Sequence, residues 1–494
     1  MKFLPFSFWA TLATLSVNPI SAKSINNADL ARIQNTFPEN IETLYRQNEL
    51  KGDLLIAVVD STGLRYSYTL NKNGANESSG LTTSTPFLIA SHTKALTGTL
   101  AQTLESQGRF DINAPIKTYL ADNISDKRIA TNDITIGQLL NHTAGFTSIQ
   151  HTFKTAYLGF ENSQDVNNAL NLDTLVAPPG KFRYSNTGPI LAATAMEKAT
   201  GKSWKTLMHD EIFVPLGMNN TSAFISTYPE NTILPTIESD KEGNVIRTGL
   251  FKTDNTLHAS GGIVSNLADM SKWLQFNLLQ SKRLSNNADF FAKLHQATAE
   301  QDKRYFTYDR SGYSLAWDIA DYHGKKLLTR FGGYAGVSFH ASFMPEEQVA
   351  VISFYNEEGA FLLPHVAANL IYNLITSPED AQNRYAAELD RFNKTLQREM
   401  QHALDSSLRV NKLDDAYLGR YTAAQGWPEI KIFTKDNQIW LSWGEQQGPL
   451  YQQTPTDNTF IAALGPLKRE ISVSSVDGKV HLKNGSLTYV KVSE

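Results

Sequence analysis

Ser91 and Lys94 form the one Ser-x-x-Lys pattern in the chain, within Phe87-Leu88-Ile89-Ala90-Ser91-His92-Thr93-Lys94. On a helix, positions i and i+3 share a face, so the hydroxyl and the amine would meet. A serine at a helix start loses its proton more easily beside the positive end of the dipole, and a partly desolvated lysine can be neutral enough to accept it. Taken alone, the pattern equally fits a capping serine followed by a surface lysine. A second cluster is the only Tyr-x-Asn, Tyr184-Ser185-Asn186, in the turn-rich stretch Pro178 to Gly188. A tyrosine beside a cationic lysine would have a lowered pKa and could relay a proton, and an asparagine amide can both donate and accept. A third is Arg330-Phe331-Gly332-Gly333-Tyr334-Ala335-Gly336. Glycines at a strand edge, Gly332 and Gly333 here, admit a ligand backbone, a strand N–H can complete an oxyanion hole, and Arg330 could hold a substrate carboxylate in a bidentate pair. The bland alternatives are a buried tyrosine with a turn asparagine, and an ordinary glycine bend.

The chain has no cysteine, which excludes thiol nucleophiles, thiolate metal sites and disulfides. His142, His258 and His340 have neither the H-E-x-x-H pattern nor paired carboxylates around them and read as structural, so no metal site is expected. With 45 basic and 49 acidic residues the formal charge is −4, too little positive field to hold a nucleic acid.

The elements that must position these groups follow from periodicity. Asp53 to Asp60 is a continuous apolar run, closed by Ser61-Thr62-Gly63 and followed by an alternating stretch from Leu64 to Leu70, which predicts a hairpin. Val337 to Met344 and Gln348 to Tyr355 flank Pro345-Glu346-Glu347 and predict another. Helix-like segments lie between, at Lys94 to Gln107, Ile136 to Leu140, Pro189 to Thr200 and Ser265 to Leu279. Strands at both ends with helices between predict an α+β fold: one mixed domain whose sheet is built from distant parts of the chain, with an inserted helical lobe. Tyr385, Leu389, Phe392, Leu396, Met400 and Leu404 then form a one-sided stripe, a connecting helix. Beyond Leu413 short alternating runs predict a small all-β barrel or sandwich. At the other end, residues 1–22 have a basic start, an apolar stretch and a small-residue finish, the order of a secretory signal. An exported protein, periplasmic or secreted and without a stable membrane span after signal removal, is the expectation.

The motifs, their order and their flanks resemble the serine β-lactamase and penicillin-binding-protein-like hydrolases, closest to the class C β-lactamase and serine esterase branch. Between the first two motifs stands Leu139-Leu140-Asn141-His142-Thr143-Ala144-Gly145-Phe146, and Ala259-Ser260-Gly261-Gly262 precedes the glycine bend. The resemblance covers roughly Leu54 to Thr376. Together with the patterns above, the expected division is a leader over 1–22, a hydrolase domain over 23–380, a connecting helix over 381–412 and a C-terminal β-domain over 413–494. The resemblance further implies a Ser91 acyl-enzyme, with Lys94 and Tyr184 as the proton-transfer pair, Asn186 holding a substrate amide and the lysine, the backbone N–H groups of Ser91 and Gly333 as oxyanion hole, and no cofactor. Arg330-Phe331 departs from the Lys or His, then Thr or Ser, usual in the third motif. The missing hydroxyl argues against an efficient β-lactamase and leaves peptidase and esterase chemistry open. The expectation is an exported serine hydrolase acting on D-amino-acid peptides, cell-wall fragments or small esters. β-Lactamase activity and a non-catalytic wall-binding role are the alternatives, and the acyl donor and oligomeric state stay open.

Overall fold

The computed structural model describes residues 24–492 apart from 71–79, 123, 125, 127–128, 130–133, 160–168, 171–173, 240–244, 250–251, 335, 401–405, 424–425, 453–457 and 465–466. The signal read over residues 1–22 therefore lies outside the described residues.

Seven strands carry the central sheet: β1 (Leu54–Asp60), β2 (Gly63–Leu70), β3 (Tyr308–Tyr313), β4 (Asp318–Tyr322), β5 (Lys325–Tyr334), β6 (Val337–Met344) and β7 (Val349–Tyr355). With the short strands Ala299–Glu300 and Arg304–Tyr305 they make a nine-stranded sheet in which β3-β4-β5-β6-β7-β1-β2 are successive neighbours, each pair antiparallel. The chain enters the sheet at β1, leaves after β2 for more than two hundred residues of mostly helical structure, and returns to complete it. Both predicted hairpins are present. All seven residues of β1 are buried, because the sheet is covered on both faces. Leu55, Ala57 and Val59 enter one apolar core, while Leu54, Ile56 and Val58 enter another. That two-sided burial explains why the strand reads as an unbroken apolar run.

Six helices frame the sheet: α1 (Asn27–Asn48), α2 (Thr93–Ser106), α3 (Thr187–Thr200), α4 (Leu267–Leu279), α5 (Leu363–Thr376) and α6 (Ala381–Met400). The core on one face includes Leu96 and Leu100 of α2, Leu191 of α3 and Trp273 of α4. The opposite core includes Phe37 and Ile41 of α1, Val366 and Leu370 of α5, and Phe392 of α6. Helix α1 lies where the sequence reads only as a polar start. Its buried stripe of Ile33, Phe37, Ile41, Leu44 and Tyr45 keeps i, i+4 spacing but is diluted by polar residues and holds Pro38 inside the helix.

The C-terminal strands, from β8 (Gly419–Thr422) to β15 (Leu487–Lys491), close into an eight-stranded antiparallel barrel. Alternation is strict in Gln438–Trp443, where Ile439, Leu441 and Trp443 face inward. The fold is thus the expected mixed domain, an antiparallel sheet with an inserted helical lobe, followed by a barrel and not a sandwich.

Candidate active site

Ser91 sits in a 3₁₀ turn, Ala90–His92, that runs directly into α2. The turn is entered through Ala90 at φ 45°, a left-handed conformation that costs a non-glycine residue about 1–2 kcal/mol. The surroundings hold it. His92, fully buried, donates from Nδ1 to the Arg330 carbonyl at 2.9 Å and accepts on Nε2 from the Trp273 indole at 2.9 Å. That bond assigns the tautomer. The turn bearing the serine is thereby fastened both to α4 and to β5.

Strand β5 reaches the serine because it outruns its neighbour. Its pairing with β4 ends at Thr329 opposite Asp318, whereas pairing with β6 continues to Tyr334 opposite Val337. The free edge from Arg330 onward faces the Ser91 turn. A Cβ at Gly332 would lie 2.3 Å from the Ile89 carbonyl, so glycine is required for the strand to approach this closely. Gly333, by contrast, is exposed, and a Cβ there would meet nothing nearer than the Val337 carbonyl at 4.0 Å.

Lys94, 2 % exposed, places its Nζ 3.2 Å from Ser91 Oγ, 2.6 Å from Asn186 Oδ1 and 2.7 Å from the Ser260 carbonyl. Tyr184 sits at the mouth of the cleft, 43 % exposed, yet its hydroxyl is held inside the cluster, 3.0 Å from Ser91 Oγ and 3.3 Å from Asn186 Oδ1. Asn186 is fixed by the Ser260 hydroxyl, which donates to its carbonyl at 2.5 Å. The structure thus brings Ser91, Lys94, Tyr184 and Asn186 into one hydrogen-bonded group, although they are supplied by two helix starts about ninety residues apart.

Charge tunes this group. Burial pulls the Lys94 ammonium down, Tyr184 partly restores it and Arg330 lowers it again, leaving it at about 8. Burial pushes the Tyr184 phenol up, but the cations of Lys94 and Arg330 overcome that and bring it down to about 8. Two groups of opposite charge type, either side of one hydroxyl, are therefore both poised to exchange a proton near neutrality.

Arg330 is 4 % exposed. Its Nη2 donates to the Tyr184 hydroxyl at 3.0 Å, its Nε to the Ser91 carbonyl at 3.3 Å and its Nη1 to Asp318 Oδ2 at 3.0 Å. The sequence suggests Arg330 as a clamp for a substrate carboxylate. In the structure three of its five N–H groups are engaged by Asp318, Tyr184 and the Ser91 backbone, and it brings positive charge beside the phenol at the cleft. Burial opposes that charge, but Tyr313, Tyr184 and Asp318 raise its pKa. Asp318 carries no signal of its own in the sequence. It lies twelve residues from Arg330, opposite Thr329 in the neighbouring strand, a relation only the sheet register reveals.

Ser91, Tyr184, Arg330, Gly332 and Gly333 line one cleft of about 270 Å³, with Phe182, Tyr305, Phe331 and Phe361 supplying aromatic walls. Phe331 packs its ring against His340 and His365, with centroids 4.8 and 4.2 Å apart. Of the three histidines read as structural, His142 and His340 are buried and His258 is half-buried: His142 accepts from the Ser185 N–H, His258 from the Ser260 N–H, and His340 pairs with His365. The first two brace the loops that carry Tyr184 and Ser260.

Comparison with known proteins bears on the family and the fold. A family model described as beta-lactamase matches residues 39–369. Among curated relatives, an unguisins hydrolase of Aspergillus campestris is 24% identical, over 79% of this chain and 75% of its own length. The D-alanyl-D-alanine-carboxypeptidase/endopeptidase AmpH of Escherichia coli is 27% identical over 44% of this chain, the match spanning about half of that relative, 53%. Among solved structures, an octameric penicillin-binding protein homologue from Pyrococcus abyssi shares the fold with a TM-score of 0.61 at 19% identity, covering 93% of this chain and 100% of that one. A D-stereospecific amidohydrolase from Streptomyces does so with a TM-score of 0.56 at 19% identity, covering 70% of this chain and 98% of that one. The chain belongs to the β-lactamase family and is a serine hydrolase of that kind.

Proposed function

We propose that Ser91 is the nucleophile of an acyl-enzyme mechanism acting on an amide or ester carbonyl, with D-amino-acid peptides of the cell-wall type as the first substrate class and small esters as the second. The observation that carries this reading is the placement of the serine hydroxyl between Lys94 Nζ at 3.2 Å and Tyr184 Oη at 3.0 Å. As Ser91 Oγ attacks the carbonyl carbon, its proton passes to the Lys94–Tyr184 pair, and the same pair returns it to the leaving group. The backbone N–H groups of Ser91 and Gly333, on the two walls of the cleft, stabilise the oxyanion. Asn186, whose side-chain carbonyl accepts from Lys94, has its amide N–H₂ for the substrate amide. Water then releases the acyl group and restores the serine.

The name of the AmpH relative supports the D-amino-acid substrate class. Export rests on the order of residues 1–22. Among the described residues no helix is long and apolar enough to cross a membrane. A purely binding role is disfavoured because binding needs neither the lysine–tyrosine pair nor its tuning. The test is turnover by the wild type and Ser91→Ala of a peptide ending in D-alanyl-D-alanine and of a matched small ester. Turnover that vanishes in Ser91→Ala while the fold persists is the expected result, and full activity in that variant contradicts the mechanism.

A further inference from the structure

The barrel's apolar core takes in Phe153 and Leu158 of the hydrolase domain, from the helix Ile149–Phe153 and the π-helical turn Lys154–Leu158 that continues it, together with the small side chain of Ala169. Such π turns are rare and frequent at functional sites. The barrel grips one side of this segment. Phe153 and Leu158 enter its core, with Phe153 4.9 Å from Trp443 and under the Arg469 guanidinium at 4.1 Å. Lys154 donates to the Gly426 carbonyl at 2.6 Å, and Gln446 donates to the Tyr157 carbonyl at 3.0 Å. At Gly444 the barrel backbone is so close that a Cβ would sit 2.6 Å from the Leu158 carbonyl.

The other side of the same segment touches three supports of the reaction centre. The Ser148 N–H, at its start, donates to Thr187, the residue after Asn186. Tyr157 stacks on Tyr334, centroids 5.3 Å apart at 21°, and Tyr334 follows Gly333 on β5. Lys252, 4 % exposed, donates to the carbonyls of Ala156 and Thr256 and lies 4.2 Å from the Tyr334 ring. Thr256 leads into the loop whose Ser260 carbonyl receives Lys94. One short segment thus abuts the Asn186 helix start, the glycine strand and the Ser260 loop, and its far side is built into the barrel.

We propose that the barrel is a positioning element for the reaction centre, acting through this segment, with Tyr157 as the positioning residue. The proposal rests on the reading of Ser91 as nucleophile. It makes the barrel part of the catalytic apparatus without supplying a group that touches substrate. Misplacement of a catalytic group by about 1 Å costs on the order of 10²-fold in rate, so loosening the grip should slow each site without removing sites.

The experiment labels Ser91 in the full-length chain with a fluorophosphonate, in which Ser91 Oγ bonds to phosphorus and fluoride leaves. Intact mass gives both the rate and the final fraction labelled. Lys154→Ala with Gln446→Ala, and separately Tyr157→Ala, should label about 10- to 100-fold more slowly yet reach the wild-type end point. Tyr157→Phe, which keeps the ring, should label at the wild-type rate. Wild-type rates in both loosened variants overturn the proposal. So does a reduced end point at an unchanged rate, which marks a purely structural contact. A wild-type chain that is never labelled at Ser91 overturns the catalytic reading and this proposal together.

Discussion

Lys94, Tyr184 and Arg330 place three potential cations or proton carriers around one serine, with Asp318 as the carboxylate that meets Arg330, and the function depends on how that charge is shared. Because the Lys94–Tyr184 pair must lose a proton to act as base, kcat/KM should rise with pH through about 8 and then level. Tyr184→Phe should cut turnover about 10²- to 10⁴-fold, measured on any hydrolysed ester or peptide. Arg330 favours the phenolate, so removing it raises the Tyr184 pKa. Arg330→Gln paired with Asp318→Asn, which avoids stranding a buried carboxylate, should therefore move that limb of the pH profile upward. An unmoved limb would show that Arg330 does not tune the tyrosine. At this scale the sequence is informative: four of the clustered residues stand in short patterns whose chemistry reads directly. Arg330 is legible as a functional position but not in its use, because its partner Asp318 is chosen by strand register and not by spacing along the chain.

The elements contribute distance. Strand β5 must lie against the Ser91 turn, and Gly332 is where that contact is tightest. Gly332→Ala pushes a methyl into the Ile89 carbonyl, so either strand or turn must give. It should cost about 1–3 kcal/mol of stability and on the order of 10²-fold in activity. Gly333→Ala has open space and should retain most stability in the same denaturation measurement. Equal costs at the two positions would contradict the close-approach account. Helices α2, α3 and α4 are readable from their apolar periodicity, as are both hairpins. Strands β3 and β4 are not, since Tyr308–Tyr313 and Asp318–Tyr322 intersperse charged and polar residues with buried aromatics.

At the scale of the whole molecule, buried histidines set the acid limit. His92, His295 and His365 are held down to about 3 and His151 to about 4 by burial, and His142, His258 and His340 are likewise held well below the usual imidazole range by burial and nearby cations or histidines. The unfolded chain binds these protons near pH 6.5, and the native chain does not, so stability rises with pH there. The contribution is present above about 6.5 and is lost as pH falls toward the folded values. Glu358 and Glu388, raised to about 7 by burial, oppose this trend, but seven histidines outnumber them. The unfolding temperature should therefore fall steadily from about pH 6.5 to about 4, and a flat profile would contradict the burial of these rings. The barrel is legible from alternation as an all-β unit, but its closure and its grip on residues 149–158 are not, because those contacts join segments some three hundred residues apart. The central claim, a Ser91 acyl-enzyme, is tested most directly by the intact mass of the protein over time with benzylpenicillin, the adduct mapped by peptide. The account predicts an adduct on Ser91, lasting if deacylation is slow, that is absent from Ser91→Ala. An adduct of equal yield in Ser91→Ala, or one mapped to another residue, would contradict it.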